Sequence, residues 1–267
     1  MRVPHAAASW ASLQAIRHGA PLVHNITNFV AMEVVANCLL ALGASPAMVQ
    51  AEEEVEDFLT IANALVINIG TLSAARLTVM RRAAARASAL GRPWVLDPVG
   101  AGATPHRTDA ASDLIGLRPT VIRGNGSEIL ALAGAASGPT RGVDSTQSAD
   151  AAVDAAQQLA QASGAVVAVT GEIDRITDGE RWRKVTNGDP RMTKVTALGC
   201  AASAVIGAFL TVEPDPLHAA ASGLAIFGLA GERAAAGAAG PGSLRWQIVD
   251  QLALLDEATV LAGVRIA

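Results

Sequence analysis

Four short apolar runs in the chain each end in polar residues able to do chemistry: His24-Asn25, Asp97-Pro98, Arg123-Gly124-Asn125 and Thr170-Gly171-Glu172. In Asp97-Pro98-Val99-Gly100-Ala101-Gly102 an acid at a strand end is stiffened by proline and followed by glycine. Such a carboxylate can face a hydrated Mg²⁺, or it can simply cap the N–H groups of the turn that follows. Asn125 and Glu128 lie three apart, so they share one face of a first helical turn. They could hold a metal-bound water while Arg123 reaches a phosphate oxygen. Asn125 as N-cap with Glu128 at the third helical position describes a capping box equally well.

A second group opens an alanine-rich helix, Thr196-Ala197-Leu198-Gly199-Cys200-Ala201-Ala202-Ser203. Small residues there leave successive N–H groups uncovered, and a helix N-terminus attracts anions. Cys200 in that positive field is expected to have a lowered thiol pKa; its plainer reading is an inert buried thiol. Cys38, inside an amphipathic helical stretch, is assigned to the inert class. Met48, in Gly43-Ala44-Ser45-Pro46-Ala47-Met48, could line an apolar pocket or be an ordinary core methionine. The acidic run Glu52-Glu53-Glu54 is read as a solvated helix start.

These residues need elements to carry them. Candidate strands are Leu22–Asn25, Leu65–Ile69, Trp94–Asp97, Thr120–Arg123 and Val166–Thr170. Helical patterns lie between them at Val30–Ala41, Ser73–Leu90, Gly126–Ala133 and Ser148–Ala162. Near-continuous apolar strands such as Ala64-Leu65-Val66-Ile67-Asn68-Ile69 suit a parallel sheet covered on both faces. The alternation therefore predicts a three-layer α/β sandwich with a mostly parallel central sheet. A hairpin is expected at Ile173–Thr177 and Arg181–Thr186, turning at Asp178-Gly179. Helices at Gly199–Leu210, Pro216–Ala235 and Leu244–Leu261 close the chain, with a loop at Gly237–Gly242. No repeat or linker divides residues 1–267, so one domain is expected. In open parallel sheets ligands sit beyond the carboxyl ends of the strands, which points to one site at one edge.

Composition narrows the function. The chain has 267 residues, 51% of them apolar and 16% charged, enough to bury a large core and unlike a disordered segment. A net charge of −4 with no basic block argues against nucleic acid. Two cysteines cannot make a disulfide framework or a zinc site, and a reduced, cytoplasmic setting is expected. The apolar run Ala197–Val212 stops short of the roughly 20 residues a membrane span needs and is read as a buried helix. Gln14, Arg17 and His18 break any secretory core near the start, so a plain amphipathic helix is expected there. The phosphate-loop, dinucleotide, GxSxG, HExxH and CxxC motifs are all missing.

Taken in order, the segment His24-Asn25-Ile26-Thr27-Asn28, the Gly43 to Met48 segment, Asp97 to Thr104, Arg123-Gly124-Asn125 through Glu128, Val169-Thr170-Gly171-Glu172 and Gly199-Cys200 resemble the hydroxyethylthiazole kinase family from about Leu22 to Leu210. The resemblance implies a ribokinase-like fold, a homotrimer, ATP as co-substrate with Mg²⁺, and phosphorylation of 4-methyl-5-(2-hydroxyethyl)thiazole for thiamine salvage. It further implies ATP contacts at Arg123, Thr170 and the helix start at Gly199, and metal-site acids at Asp97 and Glu128. Thiazole contacts are implied at Met48, Ala197 and Asn25, and Cys200 stands where most ribokinase-like relatives have an aspartate base. The family often reads Gly-x-Gly-Cys where this chain has Ala197-Leu198-Gly199-Cys200, so the anion hole is expected to be built somewhat differently. Two other readings stay open: a pyrimidine or pyridoxal kinase sharing the ATP half, and a nucleotide-binding protein without catalysis.

Overall fold

The computed structural model describes residues 2–137 and 149–267. In chain order, helix α1 (Arg2–Gly19) leads to strand β1 (Leu22–Ile26), α2 (Met32–Leu42), β2 (Ser45–Ala47), α3 (Val55–Ile61), β3 (Ala64–Asn68), α4 (Ala74–Ala89) and β4 (Trp94–Asp97). Then come α5 (Pro105–Ile115), β5 (Val121–Asn125), α6 (Gly126–Ser137), α7 (Ala149–Ser163) and β6 (Val166–Thr170). The chain continues through β7 (Asp174–Thr177), β8 (Trp182–Val185), a 3₁₀ turn (Pro190–Lys194), α8 (Leu198–Phe209), α9 (Pro216–Gly237), α10 (Pro241–Leu254) and α11 (Glu257–Gly263).

The strands form one sheet in the order β2-β1-β3-β4-β5-β6-β7-β8. Pairing is parallel from β2 through β6 and antiparallel from β6 to β8. Successive side chains of a strand point to opposite faces, and the apolar runs use both. Val23, Val66, Val95, Val121 and Ala168 join one buried cluster with α1, α2, α8, α9 and α10. Ile26, Leu65, Ile67, Leu96, Ile122 and Val167 join another with α3 to α7. This is the expected three-layer sandwich, with a buried layer on each face of the sheet.

Helix α8 lies directly on the sheet. A Cβ on Gly207 would sit 2.7 Å from Val66 Cγ2, so only glycine lets the helix approach this closely. Residues Ala201 to Phe209 are all buried, which explains the long apolar run without a membrane. Among the described residues no helix is long and apolar enough to cross one.

Several boundaries depart from expectation, each for a local reason. The single closing helix Leu244–Leu261 is two helices, because Asp256 accepts from Thr259 N and starts α11 afresh. The Gly237–Gly242 loop shrinks to residues 238–240, with Pro241 opening α10. Glu52 to Glu54 form a turn, and α3 begins only at Val55. The segment around Ser45 adds a three-residue edge strand by pairing with Leu22 to His24. Helix α5 was not legible as an apolar stripe; it is started by Thr104, which accepts from Arg107 N, with proline at the first position. Ser148, expected to open α7, lies outside the described residues. The hairpin turn at Asp178-Gly179 is as expected: Asp178 Oδ1 accepts from Glu180 N and Arg181 N, and Gly179 has φ +96°.

Candidate active site

The two-residue period of the strands gathers the site. Asn25, Asn68, Asp97, Arg123 and Thr170 each follow by two a residue that faces α8, namely Val23, Val66, Val95, Val121 and Ala168. All five polar residues are therefore presented on the α8 face at the carboxyl ends of five adjacent strands. Register does the rest: Asn68 pairs with Asp97, and Arg123 and Thr170 lie on neighbouring β5 and β6. The N-terminus of α8 closes the group from above.

Arg123 is its centre. Its Nη2 donates to Thr170 Oγ1 at 2.6 Å, and its Nη1 stands 4.0 Å from Asp97 Oδ1. Gly199 lies against the guanidinium, since a Cβ there would come within 2.8 Å of Nη1. Asp97 is fully buried; its Oδ2 accepts from Asn68 Nδ2 at 2.7 Å and Ser203 Oγ at 2.9 Å. Its Oδ1 has no hydrogen-bond partner among the described residues. Burial raises the Asp97 pKa above the usual carboxylate range, against the opposing pull of Arg123 and Ser203.

Helix α8 begins in an unusual way. Ala197, its N-cap, is in the left-handed region at φ +68° and offers no side-chain cap. The backbone shape that glycine would supply without strain is thus kept by an alanine. Cys200 is half-buried, and its Sγ receives Asn28 Nδ2 and Asn68 Nδ2, both at 3.2 Å. The expected lowering of its thiol pKa is reversed. Burial first, then the nearby Asp97 charge, pushes it up to about 11, outweighing the two amide donors and Arg123. Cys38 is fully buried with its thiol pushed up to about 12, as an inert core cysteine should be.

Glu128 forms the reciprocal capping box: its Oε2 accepts from Asn125 N at 2.8 Å while Asn125 Oδ1 accepts from Glu128 N at 3.0 Å. Its Oε1 also accepts from Gly100 N, tying the Asp97 loop to α6. The charge of Glu128 is felt at Asp97, so the capping role and nearness to the acid coexist. Beside Thr170, Asp174 Oδ1 accepts from Gly171 N at 3.0 Å, and burial raises its carboxyl pKa to about 6, against Gly171 and Arg123.

Six of the expected residues therefore belong together: Asp97, Arg123, Thr170, Gly199, Cys200 and Ala197, with Glu128 at their edge. Asn25 is buried on β1; its Nδ2 is used by Val23 O, and its Oδ1 has no partner among the described residues. Met48 lies just past edge strand β2, one residue beyond the Ala47–His24 pair and so at the same sheet edge as Asn25, half-buried against the α8-side core. Asn28, Asn68, Ser203 and Asp174 were missed. Asn68 had a legible signal, since it is the one polar residue in the run from Ala64 to Ile69 and is in phase with Val66. A cleft of about 820 Å³ at the amino ends of β4 and β5, lined by residues including Arg92, Trp94, Arg118 and Glu213, contains none of these groups. It lies at the opposite ends of the strands from the residues gathered around Arg123.

Residues 13–258 match the model of the hydroxyethylthiazole kinase family. The chain is 54% identical over 253 residues to a hydroxyethylthiazole kinase of Granulibacter bethesdensis, covering 95% of this chain and 92% of that one. It is 52% identical over 256 residues to that of Rhizobium etli, covering 96% and 99%. A solved hydroxyethylthiazole kinase structure from Pyrococcus horikoshii superposes with a TM-score of 0.91 at 40% identity, covering 98% of each chain. Pyridoxal kinase of Staphylococcus aureus shares the fold, at a TM-score of 0.61 and 20% identity over 77% of this chain and 86% of that one.

Proposed function

The chain belongs to the hydroxyethylthiazole kinase family, and we propose that it transfers the γ-phosphoryl group of ATP to the hydroxyl of 4-methyl-5-(2-hydroxyethyl)thiazole, feeding thiamine synthesis. The observation that carries this reading is the placement of Arg123, which joins Thr170, Asp97 and the start of α8 one residue before Cys200.

Phosphoryl transfer demands positioning and neutralisation more than covalent chemistry. Arg123 and Thr170 hold the ATP phosphates at the ends of β5 and β6. The uncapped N–H groups at the start of α8, at Gly199 and Cys200, face the charge that develops on the transferring group. An acid site for Mg²⁺ fits the residues present, because Asp97 Oδ1 is a buried carboxylate oxygen with no donor of its own. Asp97 would hold the ion, with Glu128 beside it. No cluster of three or more acid, histidine or cysteine ligands exists among the described residues. When bound, Mg²⁺ would offset the negative charge of the ATP phosphates.

With its thiol raised to about 11, Cys200 stays protonated at neutral pH and orients the alcohol, whose proton leaves late, to a phosphate oxygen or to water, as the new O–P bond forms. Asn25, Ala197 and Met48 are assigned to the thiazole end. The reading brings with it a homotrimer in the cytoplasm and a chain that works as one domain. Phe29 and Val30, 64% and 62% exposed in the loop before α2, are apolar surface that an assembly would cover.

The test is ADP release from Mg-ATP with and without the thiazole alcohol, with hydroxymethylpyrimidine and pyridoxal as controls. Release with the thiazole alone is expected. Release with either control in its place would keep the ATP half and overturn the Met48, Ala197 and Asn25 assignments. ATP binding without release on any alcohol would make the chain a non-catalytic binding protein.

A further inference from the structure

We propose that Asn68 is a positioning residue that locks Cys200 and Asp97 into one unit, and this rests on the kinase reading above. Asn68 ends β3 and is 1% exposed. An amide buried there is costly unless every bond is made. All four are made. Its Nδ2 donates to Asp97 Oδ2 at 2.7 Å and to Cys200 Sγ at 3.2 Å. Its Oδ1 accepts from Asn28 Nδ2 and from Gly70 N, both at 2.9 Å. An amide has two donor hydrogens and two acceptor lone pairs, so nothing is left over. The opposite orientation would set Oδ1 against the Asp97 carboxylate and is excluded.

The same network holds the sulfur. Asn28 Nδ2 also donates to Cys200 Sγ, while Asn28 Oδ1 accepts from Ala31 N and fixes the loop before α2. With two amide donors on one sulfur, the thiol's own S–H is the bond left free to point elsewhere. Asn68 therefore governs where that proton is directed. Asp97 has a second support in Ser203, but among the described residues Asn68 alone bonds to both Asp97 and Cys200.

Two readouts test this. The first is a double-mutant cycle on turnover. Asn68→Ser is expected to lower kcat about 30-fold, with KM for ATP held within about 3-fold, because Arg123 and Thr170 are untouched. In a Cys200→Ala background the same change should cost little more, since Asn68 acts through Cys200. Losses that multiply in the double variant would show a merely structural role and overturn the proposal. The second needs no turnover: alkylation of Cys200 by iodoacetamide, with buried Cys38 silent. Removing an N–H donor from a thiolate disfavours it, so Asn68→Asp should slow alkylation at least about 5-fold while Ser203→Ala leaves it within about 2-fold. Asn68→Ser gives the same readout if the aspartate variant does not fold. An unchanged rate in a folded Asn68 variant overturns the proposal. If the wild type makes no thiazole phosphate, the kinase reading fails, and the alkylation rates still decide the Asn68–Cys200 link.

Discussion

Gly199 lies directly against the guanidinium of Arg123: a single added carbon on Gly199 would stand 2.8 Å from Nη1, 3.3 Å from Nη2 and 3.4 Å from Cζ. An arginine can ordinarily swing away from such a contact. This one is held by Thr170 and drawn by Asp97, so the two ends of the ATP half, strand and helix, are fitted to one another.

Gly199→Ala should therefore act on catalysis rather than on folding. Alanine is the better helix former by about 1 kcal/mol, which offsets the cost of moving the guanidinium, so Tm should change by no more than about 3 °C. Displacing Arg123 from Thr170 should lower kcat/KM for ATP roughly 10- to 100-fold. A variant with full kcat/KM for ATP would show that Arg123 does not need its present position.

Ala197 tests the other side of the same turn. At φ +68° an alanine carries about 1 kcal/mol of backbone strain that glycine lacks. Part of the gain from Ala197→Gly is returned by the freer unfolded chain and by the lost methyl contact with the core. A net stabilisation of up to about 1 kcal/mol is expected from urea unfolding, with KM for ATP unchanged. Destabilisation by more than about 1 kcal/mol would mean that the methyl contact outweighs the strain.

The sandwich was legible because its evidence is periodic: apolar runs bounded by glycine and proline place β3, β4 and β6 within a residue, and helices with strong caps such as Asn125 stand out. Short elements that depend on a neighbour were not legible. Strand β2 exists because Leu22 to His24 lie beside it, and α11 because Asp256 restarts a helix that composition alone would continue. In the site, residues at strand ends could be named individually, since a polar residue after an apolar run is unusual on its own. Ser203 and Asn28 could not. Their role comes from a carboxylate and a sulfur that are distant in sequence, at Asp97 and Cys200. The sign of the Cys200 shift was lost for the same reason: the helix start is local, whereas burial and the Asp97 charge are tertiary.

Asp174 provides a pH dependence. Its carboxyl is raised in the folded chain from 3.8 to about 6, chiefly by burial, so the folded state holds the proton more tightly than the unfolded state. Its favourable contribution is complete below about pH 4 and is lost as pH rises through about 6. The shift corresponds to at most about 3 kcal/mol, and partial exposure of the side chain reduces this to roughly 1–2 kcal/mol. Asp174→Asn keeps an acceptor for Gly171 N and removes the charge. It should stabilise the protein by about that amount at pH 8 and by little at pH 4. Urea midpoints at the two pH values decide the matter; an equal difference at both would place the carboxyl near its ordinary pKa.

Cys200 sets the last expectation. A thiol raised to about 11 is protonated throughout the working range, so kcat/KM should show no ascending limb between pH 7 and 9 that belongs to it. Its work is then to accept from Asn28 and Asn68 and to direct a proton toward the alcohol. Cys200→Ser keeps both abilities and should stay within about 10-fold of wild type, whereas Cys200→Ala should fall by roughly 100-fold. Cys200→Asp can accept from the same two amides and offers a true base, so it should retain or raise turnover. If the wild type instead shows an ascending limb near pH 8 that disappears in Cys200→Ser, or if a folded Cys200→Asp variant is inactive, the thiol does more than orient. The raised pKa would then have to fall in the loaded enzyme, where a cation held by Asp97 would offset the charge that now helps to hold it up.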